Sequence, residues 1–251
     1  MWNGSSLTLA KQKEPIALVW SRPIPDGCQP RSVTVSRDAS GRYFISILVE
    51  QDIPTLSMTD KTTGIDLGLQ SFLITSEGET IGNPKYYARA EKKLAKLQRQ
   101  HAKKQKGSKN CNKACRKVAK HHVRITDMRR NFQQQLSTRL IHENQVICLE
   151  TLAVKNMLKN HCLAKAISDV GWSEFVRQLE YKAAWYGRTV VKIDRWTLSS
   201  KTCHCCGWVK ENLTLVDRVF VCEECGNVTD RDYNAVCVRR FGACQISPIG
   251  R

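Results

Sequence analysis

The sequence predicts a mixed α/β domain that carries a basic helical hairpin and a four-cysteine clasp. Three observations predict it. Short apolar runs with strand-like alternation bracket long stretches with helical periodicity. Sixteen of the 40 Lys/Arg residues fall between Ala88 and Arg130, beside two acids, Glu91 and Asp127. Two Cys-x2-Cys pairs, Cys203 with Cys206 and Cys222 with Cys225, stand close together near the C-terminus. At 251 residues and 41% hydrophobic side chains, the chain is long enough to bury a sizeable core, and its even mixture excludes the disordered class.

Taken in order, residues 1–55 have strand character. SLTLA is strand-like, and SVTVSRDASGRYFISILVE alternates on both sides of Asp38-Ala39-Ser40-Gly41, a hairpin signal. Pro23, Pro25 and Pro30 punctuate the approach to it. TGIDLGLQSFLITSEGE follows as a second strand pair that turns at or just after Gly68. Helical periodicity begins at Tyr86, breaks at Gly107-Ser108 and resumes. In the second arm Cys111, Cys115, Val118, His122, Ile125, Phe132, Leu136 and Leu140 fall at helical spacings. QVICLE is a short buried strand, and WSEFVRQLEYKAAWYG is an amphipathic helix capped by Gly187, with Trp172, Phe175 and Trp185 at packing positions. TVVKID is one more strand, LTLVDRVFV alternates like a strand, and NAVCVRRF is a short closing helix that FGACQISPIGR does not continue.

No apolar run approaches the roughly 20 residues that a membrane helix needs. MWNGSSLTLAKQK lacks the charged-then-apolar layout of a signal peptide, so an intracellular, reducing setting is expected. There, twelve cysteines point to metal ligation rather than a disulfide framework. Cys203, Cys206, Cys222 and Cys225 have zinc-ribbon spacing, with Gly207 and Gly226 placed for the tight turns of two knuckles. Such a site is closed, so its zinc holds shape and performs no chemistry. His204 and Cys205 lie inside the first knuckle, outside the paired spacing. Cys111-x3-Cys115 has helical spacing and no nearby partner pair, which favours packing over metal.

The net charge of +17 is concentrated in the 88–130 block, whose local balance is +14. A block so dense repels itself unless a polyanion lies against it, and nucleic acid is the natural partner. A solvated helical face is the plainer alternative. Arg89, Lys92, Lys93, Lys96 and Arg99 share a helical face; Lys103, Lys104, Arg116, Lys117 and Lys120 extend the candidate phosphate-contacting set. Aromatic residues are sparse among them, so this face tracks a backbone and carries no base information.

Three acids stand at strand and helix ends: Asp66 in GIDLG, Glu150 closing VICLE, and Asp232 in DRDYN. Singly, each has a plainer explanation. GIDLG also resembles the first strand of actin-like kinases, and Asp232 suits a helix N-cap. Together, three acids from three distant segments can converge, and such a cluster repels itself unless cations occupy it. Two hard cations bridged by such carboxylates suit phosphodiester hydrolysis, with magnesium preferred and manganese able to substitute.

In combination, GIDLGLQSFLITSEGE, ICLETL, SSKTCHCCG with VCEECG, and DRDYNA resemble the RuvC-type core of TnpB (OrfB) proteins, transposon-encoded RNA-guided DNA nucleases related to type V CRISPR effectors. The resemblance covers most of residues 30–240. It implies a ribonuclease-H-like (RuvC) mixed sheet with the basic hairpin and zinc ribbon inserted, preceded by a partial β-barrel segment. The implied boundaries are 1–58 for part of an oligonucleotide-binding-type (wedge) barrel, 59–200 for the first part of the core with the hairpin at 86–142, 201–226 for the ribbon, and 227–251 for the end of the core. It also implies a magnesium-dependent triad of Asp66, Glu150 and Asp232, with Asp230 the alternative third acid and Asn234 orienting the site from behind. DNA, a guide RNA and a prokaryotic cytoplasmic, nucleoid-associated setting are implied in the same way. The segment before Asp66 is short for this family, so an N-terminal recognition lobe and part of the barrel are expected to be missing. Two functions therefore stand as expectations: a metal-dependent DNA endonuclease, or a non-cleaving nucleic-acid-binding fragment that uses the hairpin and the ribbon.

Overall fold

The computed structural model describes residues 6–8, 11–194, 200–214 and 217–246, with side chains as far as 238. β1 (Pro30–Arg37) and β2 (Tyr43–Val49) pair antiparallel, with Arg37 opposite Tyr43. Asp38 builds the turn between them: its Oδ1 accepts from the Ser40 and Arg42 backbone N–H groups, both at 2.9 Å. Gly41 takes φ 93° there, a conformation that costs glycine little. The strand expected at SLTLA reduces, among the described residues, to one bridge between Leu7 and Ile16.

β3 (Thr62–Leu67), β4 (Ser71–Thr75) and β5 (Thr80–Gly82) form an antiparallel meander. The helical hairpin follows as α1 (Tyr86–Ala102) and α2 (Lys109–Glu143), with Ser108 Oγ accepting from Cys111 N at the start of the second arm. The chain returns to the sheet as β6 (Val146–Glu150), crosses through α3 (Val154–Met157), α4 (Ala164–Val170) and α5 (Trp172–Tyr186), and adds β7 (Thr189–Ile193). β8 (Val219–Val221) and β9 (Val228–Asp230) form a separate small ribbon that leads into α6 (Arg231–Ile246).

The central sheet has the order β5-β4-β3-β6-β7, with β6 parallel to both β3 and β7. An antiparallel meander whose first strand is extended by two added parallel strands is the ribonuclease-H-like arrangement. One face of the sheet packs Ile65, Leu73, Ile147 and Leu149 against Leu136 and Leu140 of α2 and Phe175 and Leu179 of α5. Phe72 meets Phe132 and Phe175 edge-on, both at 5.0 Å between ring centroids. Each such fully buried side chain contributes about 1.5–3 kcal/mol, so this face carries most of the apolar stabilisation. Alternation turns Cys148, Val191 and Ile193 to the opposite face. There α6 lies on β3 and β6 with Ala235, Val236 and Cys237 buried.

Three sequence expectations need correction. α6 runs on through Phe241–Ile246, because a single glycine at 242 does not stop a helix that has already nucleated. Trp185 is 49% exposed, since the turns of α5 that bury Phe175, Leu179 and Ala183 leave it on the outer side. Cys115 and His122 are exposed although both fell at helical spacings. The buried line along α2 is set by what each turn faces, α1 near Ile125 and the sheet near Leu136, and not by one continuous stripe. Gly187 caps α5 as expected, at φ 66°.

Candidate metal centres and basic face

Strand register decides where the first two carboxylates stand. Ile65 pairs with Leu149 across the parallel strands β3 and β6. The next residues, Asp66 and Glu150, therefore occupy adjacent strand ends, roughly 4.8 Å apart in backbone spacing. Since Ile65 and Leu149 face the helical core, alternation turns both acids to the face that α6 covers. Both are half-buried at the carboxyl ends of the strands, where open α/β sheets place ligands. Two carboxylates side by side at the ends of neighbouring strands supply the hard oxygen donors that magnesium or manganese takes.

Asp232 arrives from the first turn of α6, half-buried. The structure gives the N-cap role to its neighbour: Asp230 Oδ1 accepts from the backbone N–H of Asp232 at 2.9 Å and of Tyr233 at 3.0 Å. Asp232 is thus released from capping. Its Oδ1 receives Nε and Nη2 of Arg231 at 3.1 and 3.0 Å, and Arg218 Nη1 lies 3.9 Å from Oδ2. Sequence reasoning passed over both arginines, although Arg231 sits inside the DRDYN run.

The clasp is built by two knuckles with the same hydrogen bonding. Gly207 N donates to Cys203 O at 2.9 Å, and Gly226 N donates to Cys222 O at 3.1 Å. Each knuckle closes with a second bond, Cys203 N to Trp208 O and Cys222 N to Asn227 O. Gly207 and Gly226 have φ 78° and 71°, which explains glycine after each second cysteine. The four sulfurs lie within 4.8 Å of one another, with Cys203–Cys225 at 3.7 Å and Cys206–Cys222 at 3.5 Å. An ion held tetrahedrally at about 2.3 Å needs sulfurs roughly 3.8 Å apart, so the arrangement can hold one metal such as zinc. At Cys203 burial pushes the thiol pKa up, but hydrogen bonds from the backbone N–H groups of Cys206 and Cys205 and from the Cys225 and Cys222 thiols together outweigh it and bring the value to about 6. Cys205 points elsewhere, 3.3 Å from His204 Nε2.

Asn234 joins the clasp to α6. Its Oδ1 accepts from His204 N at 3.0 Å, and its Nδ2 donates to Thr202 O at 2.6 Å. It is fully buried, so losing either bond would leave a polar group without water. These bonds reach the first knuckle of the clasp. Asn234 lies two residues after Asp232, so its bonds tie this turn of α6 to the clasp.

The basic hairpin is held by residues that sequence reasoning did not single out. Lys85, the residue before α1, gives the helix no side-chain cap. Asp169 of α4 supplies one across the fold, accepting from Tyr87 N at 2.9 Å and Ala88 N at 3.3 Å. The two acids inside the block serve as tethers: Glu91 pairs with Lys165 of α4, and Asp127 pairs with Arg42 of the β1–β2 turn at 2.7 Å. Arg129 is partly buried and donates to the Ser168 and Asp169 carbonyls. The other fifteen cations, the ten predicted contacts among them, are exposed. At the tip, Cys111 Sγ sits 3.5 Å from His101 Nε2 while Cys115 points to solvent, so this pair does not converge on one site. No helix among the described residues is long and apolar enough to cross a membrane.

Set beside known proteins, residues 45–161 match the OrfB_IS605 family, described as "Probable transposase", and residues 172–238 match the Cas12f1-like TNB domain. A Streptomyces pristinaespiralis protein named "Putative RNA-guided DNA endonuclease" is 52% identical over 93% of this chain and 58% of its own length. InsQ of Escherichia coli K12, named likewise, is 31% identical over 81% of this chain and 54% of its own length. The chain thus spans little more than half the length of these relatives. The cryo-EM structure of a Cas12f1–sgRNA–target DNA complex superposes with a TM-score of 0.51 at 16% identity, over 83% of this chain and 55% of that one, and supports the fold.

Proposed function

Because the chain belongs to the TnpB (OrfB) family, we propose that it is a metal-dependent DNA endonuclease module that cuts phosphodiester bonds at Asp66, Glu150 and Asp232. The observation that carries this reading is the β3–β6 register, which sets Asp66 beside Glu150 at the carboxyl ends of two neighbouring strands. Asp66 and Glu150 would share a pair of divalent ions, and Asp232 would complete the set from α6. When bound, the ions supply an activated water and stabilise the leaving oxygen of an in-line displacement. The protein's own part is to hold three acids rigidly on a sheet and a helix and to seat the backbone. Arg231 and Arg218 place two guanidinium groups beside Asp232, where they suit phosphate oxygens. The basic hairpin carries the duplex or the guide RNA by phosphate contacts. In this reading residues 1–58 form part of a wedge barrel, 59–200 and 227–251 the RuvC-like core, and 201–226 a zinc ribbon.

The test is cleavage of matched DNA by the full chain with a guide RNA in magnesium or manganese. Asp66→Ala is expected to lower the rate by about a thousandfold or more, since such ions supply several kcal/mol of transition-state stabilisation. A chain that binds two ions and its guide yet leaves DNA whole overturns the nuclease reading.

One observation favours a second reading, a non-cleaving nucleic-acid-binding module. Fifteen of the sixteen cations of the 88–130 block are exposed, and both of its acids are committed outside it. That reading expects steeply salt-dependent binding that survives Asp66→Ala, with no metal-dependent cleavage in the parent protein.

A further inference from the structure

The small β8–β9 ribbon ends in two arginines set against one carboxylate. Val219 pairs with Asp230, and the next backbone bond, Arg231 N to Arg218 O at 2.9 Å, places Arg218 opposite Arg231. Like charges facing each other across a strand pair repel, so an anion between them stabilises the pair. Asp232 supplies it. The other acids of this corner are engaged otherwise: Asp230 caps α6, and Asp217 accepts from Thr214 N and Oγ1 at 2.7 and 2.8 Å. The two guanidinium groups are held differently. The Arg231 side chain is 12% exposed, and its Nε and Nη2 together fill the acceptor sites of Asp232 Oδ1. The Arg218 side chain is 68% exposed, and its Nη1 stands 3.9 Å from Oδ2, beyond hydrogen-bond reach. A divalent ion on Oδ2 would therefore lie beside that guanidinium, and the two cations repel. Among the described residues only the clasp gathers three or more metal-donor side chains within 4.8 Å of one another, so no one ion reaches Asp66, Glu150 and Asp232 together as they stand.

We propose that Arg218 and Arg231 keep Asp232 from its metal until a backbone phosphate of the nucleic acid takes their guanidinium groups, so that Asp232 becomes a ligand only on the bound strand. The inference rests on Asp66, Glu150 and Asp232 as the metal-binding acids. A phosphate matches the corner on two counts. Its oxygens accept from guanidinium as a carboxylate does, so the exchange replaces one charge-assisted pair by another. Its negative charge then lies between Arg218 and the ion and relieves their repulsion. Arg218, exposed and not hydrogen-bonded to the acid, is the arm that meets the phosphate first; Arg231, largely buried, follows and frees Oδ1. The third ligand is thereby conditional on substrate: with no strand in place the centre holds Asp66 and Glu150 alone. By reciprocity the ion and the strand tighten each other's binding by the same factor.

The experiment follows Mn2+ binding to the full chain by electron paramagnetic resonance of the free ion, alone and with a saturating phosphorothioate DNA strand whose own Mn2+ uptake is subtracted. Without the strand, Asp66→Asn is expected to abolish binding, whereas Asp232→Asn leaves it unchanged. In the Arg218→Gln/Arg231→Gln background the acid is released, and Asp232→Asn is expected to weaken binding about fivefold or more. The strand is expected to tighten wild-type binding by a similar factor, and Asp232→Asn to remove that gain. Arg218→Gln alone, at an exposed position, is expected to give part of the double variant's effect and serves if the double variant fails to fold. A loss of affinity in strand-free Asp232→Asn overturns the proposal, because the acid is then already a ligand. A strand-dependent gain that survives Asp232→Asn overturns it too, and so does an Asp232→Asn effect absent from the arginine variants. Mn2+ binding that Asp66→Asn does not disturb overturns instead the carboxylate reading on which the proposal stands.

Discussion

The clasp and the carboxylate edge are both candidate metal centres, and they are assembled in opposite ways. The clasp draws its four ligands from one short segment, Cys203 to Cys225, and each knuckle is closed by hydrogen bonds between near neighbours along the chain. The carboxylate edge draws its ligands from three elements spread between Asp66 and Asp232, and only the pairing of β3 with β6 and the docking of α6 bring those elements together. A locally built site depends on its ion, because little else holds it. A site built on a sheet depends on the core beneath, and its ions add chemistry to a scaffold that already stands. The two regions are joined through Asn234 of α6, which bonds His204 and Thr202 of the clasp.

Two substitutions separate the regions most sharply. Asp66→Ala is expected to abolish cleavage while melting temperature stays within a few degrees, checked by differential scanning fluorimetry beside a cleavage assay. Cys222→Ser is expected to release zinc, since a structural site contributes folding energy outright. It should also lower cleavage by a large factor, with the sheet core intact by circular dichroism. Zinc content, followed by a chromogenic chelator, distinguishes the two variants. Retained cleavage after zinc loss would mean that the clasp does not set the place of Asp232.

A smaller effect belongs to the joint between the regions. Asn234→Ala strands His204 N and Thr202 O in a buried setting, a cost of about 1–3 kcal/mol. It is expected to keep zinc bound but slow cleavage, because the clasp stays closed while its grip on α6 loosens. If zinc and cleavage fell together, Asn234 would belong to the clasp alone. The smallest effect concerns the basic hairpin. Asp169→Ala removes the cap of α1 and is expected to cost about 0.5–2 kcal/mol. Amide hydrogen exchange should quicken at Tyr87 and Ala88 and leave both metal centres unchanged.

Much of this was legible in the chain itself. The strand–strand, helix–helix and strand–helix–strand order followed from periodicity, because a strand or helix shows its buried face within a few residues. The clasp followed from spacing, since Cys-x2-Cys and the glycine after it describe one turn. Asp66, Glu150 and Asp232 stood out as acids at the ends of apolar elements. What spacing could not settle was which aspartate of DRDYN caps the helix; a hydrogen bond to Asp230 and an arginine on Asp232 decided that.

The sequence by itself determined the kinds of element, the four thiols, the charge of the hairpin and the identity of three candidate acids, all properties carried by neighbours along the chain. Only the tertiary structure decided that Asp66 stands beside Glu150, that Asp169 caps a helix far from it in sequence, and that Glu91 and Asp127 anchor the basic hairpin. The reason is range. Periodicity and turn chemistry act over a few residues, whereas register and capping across the fold depend on surfaces that meet only when the sheet closes.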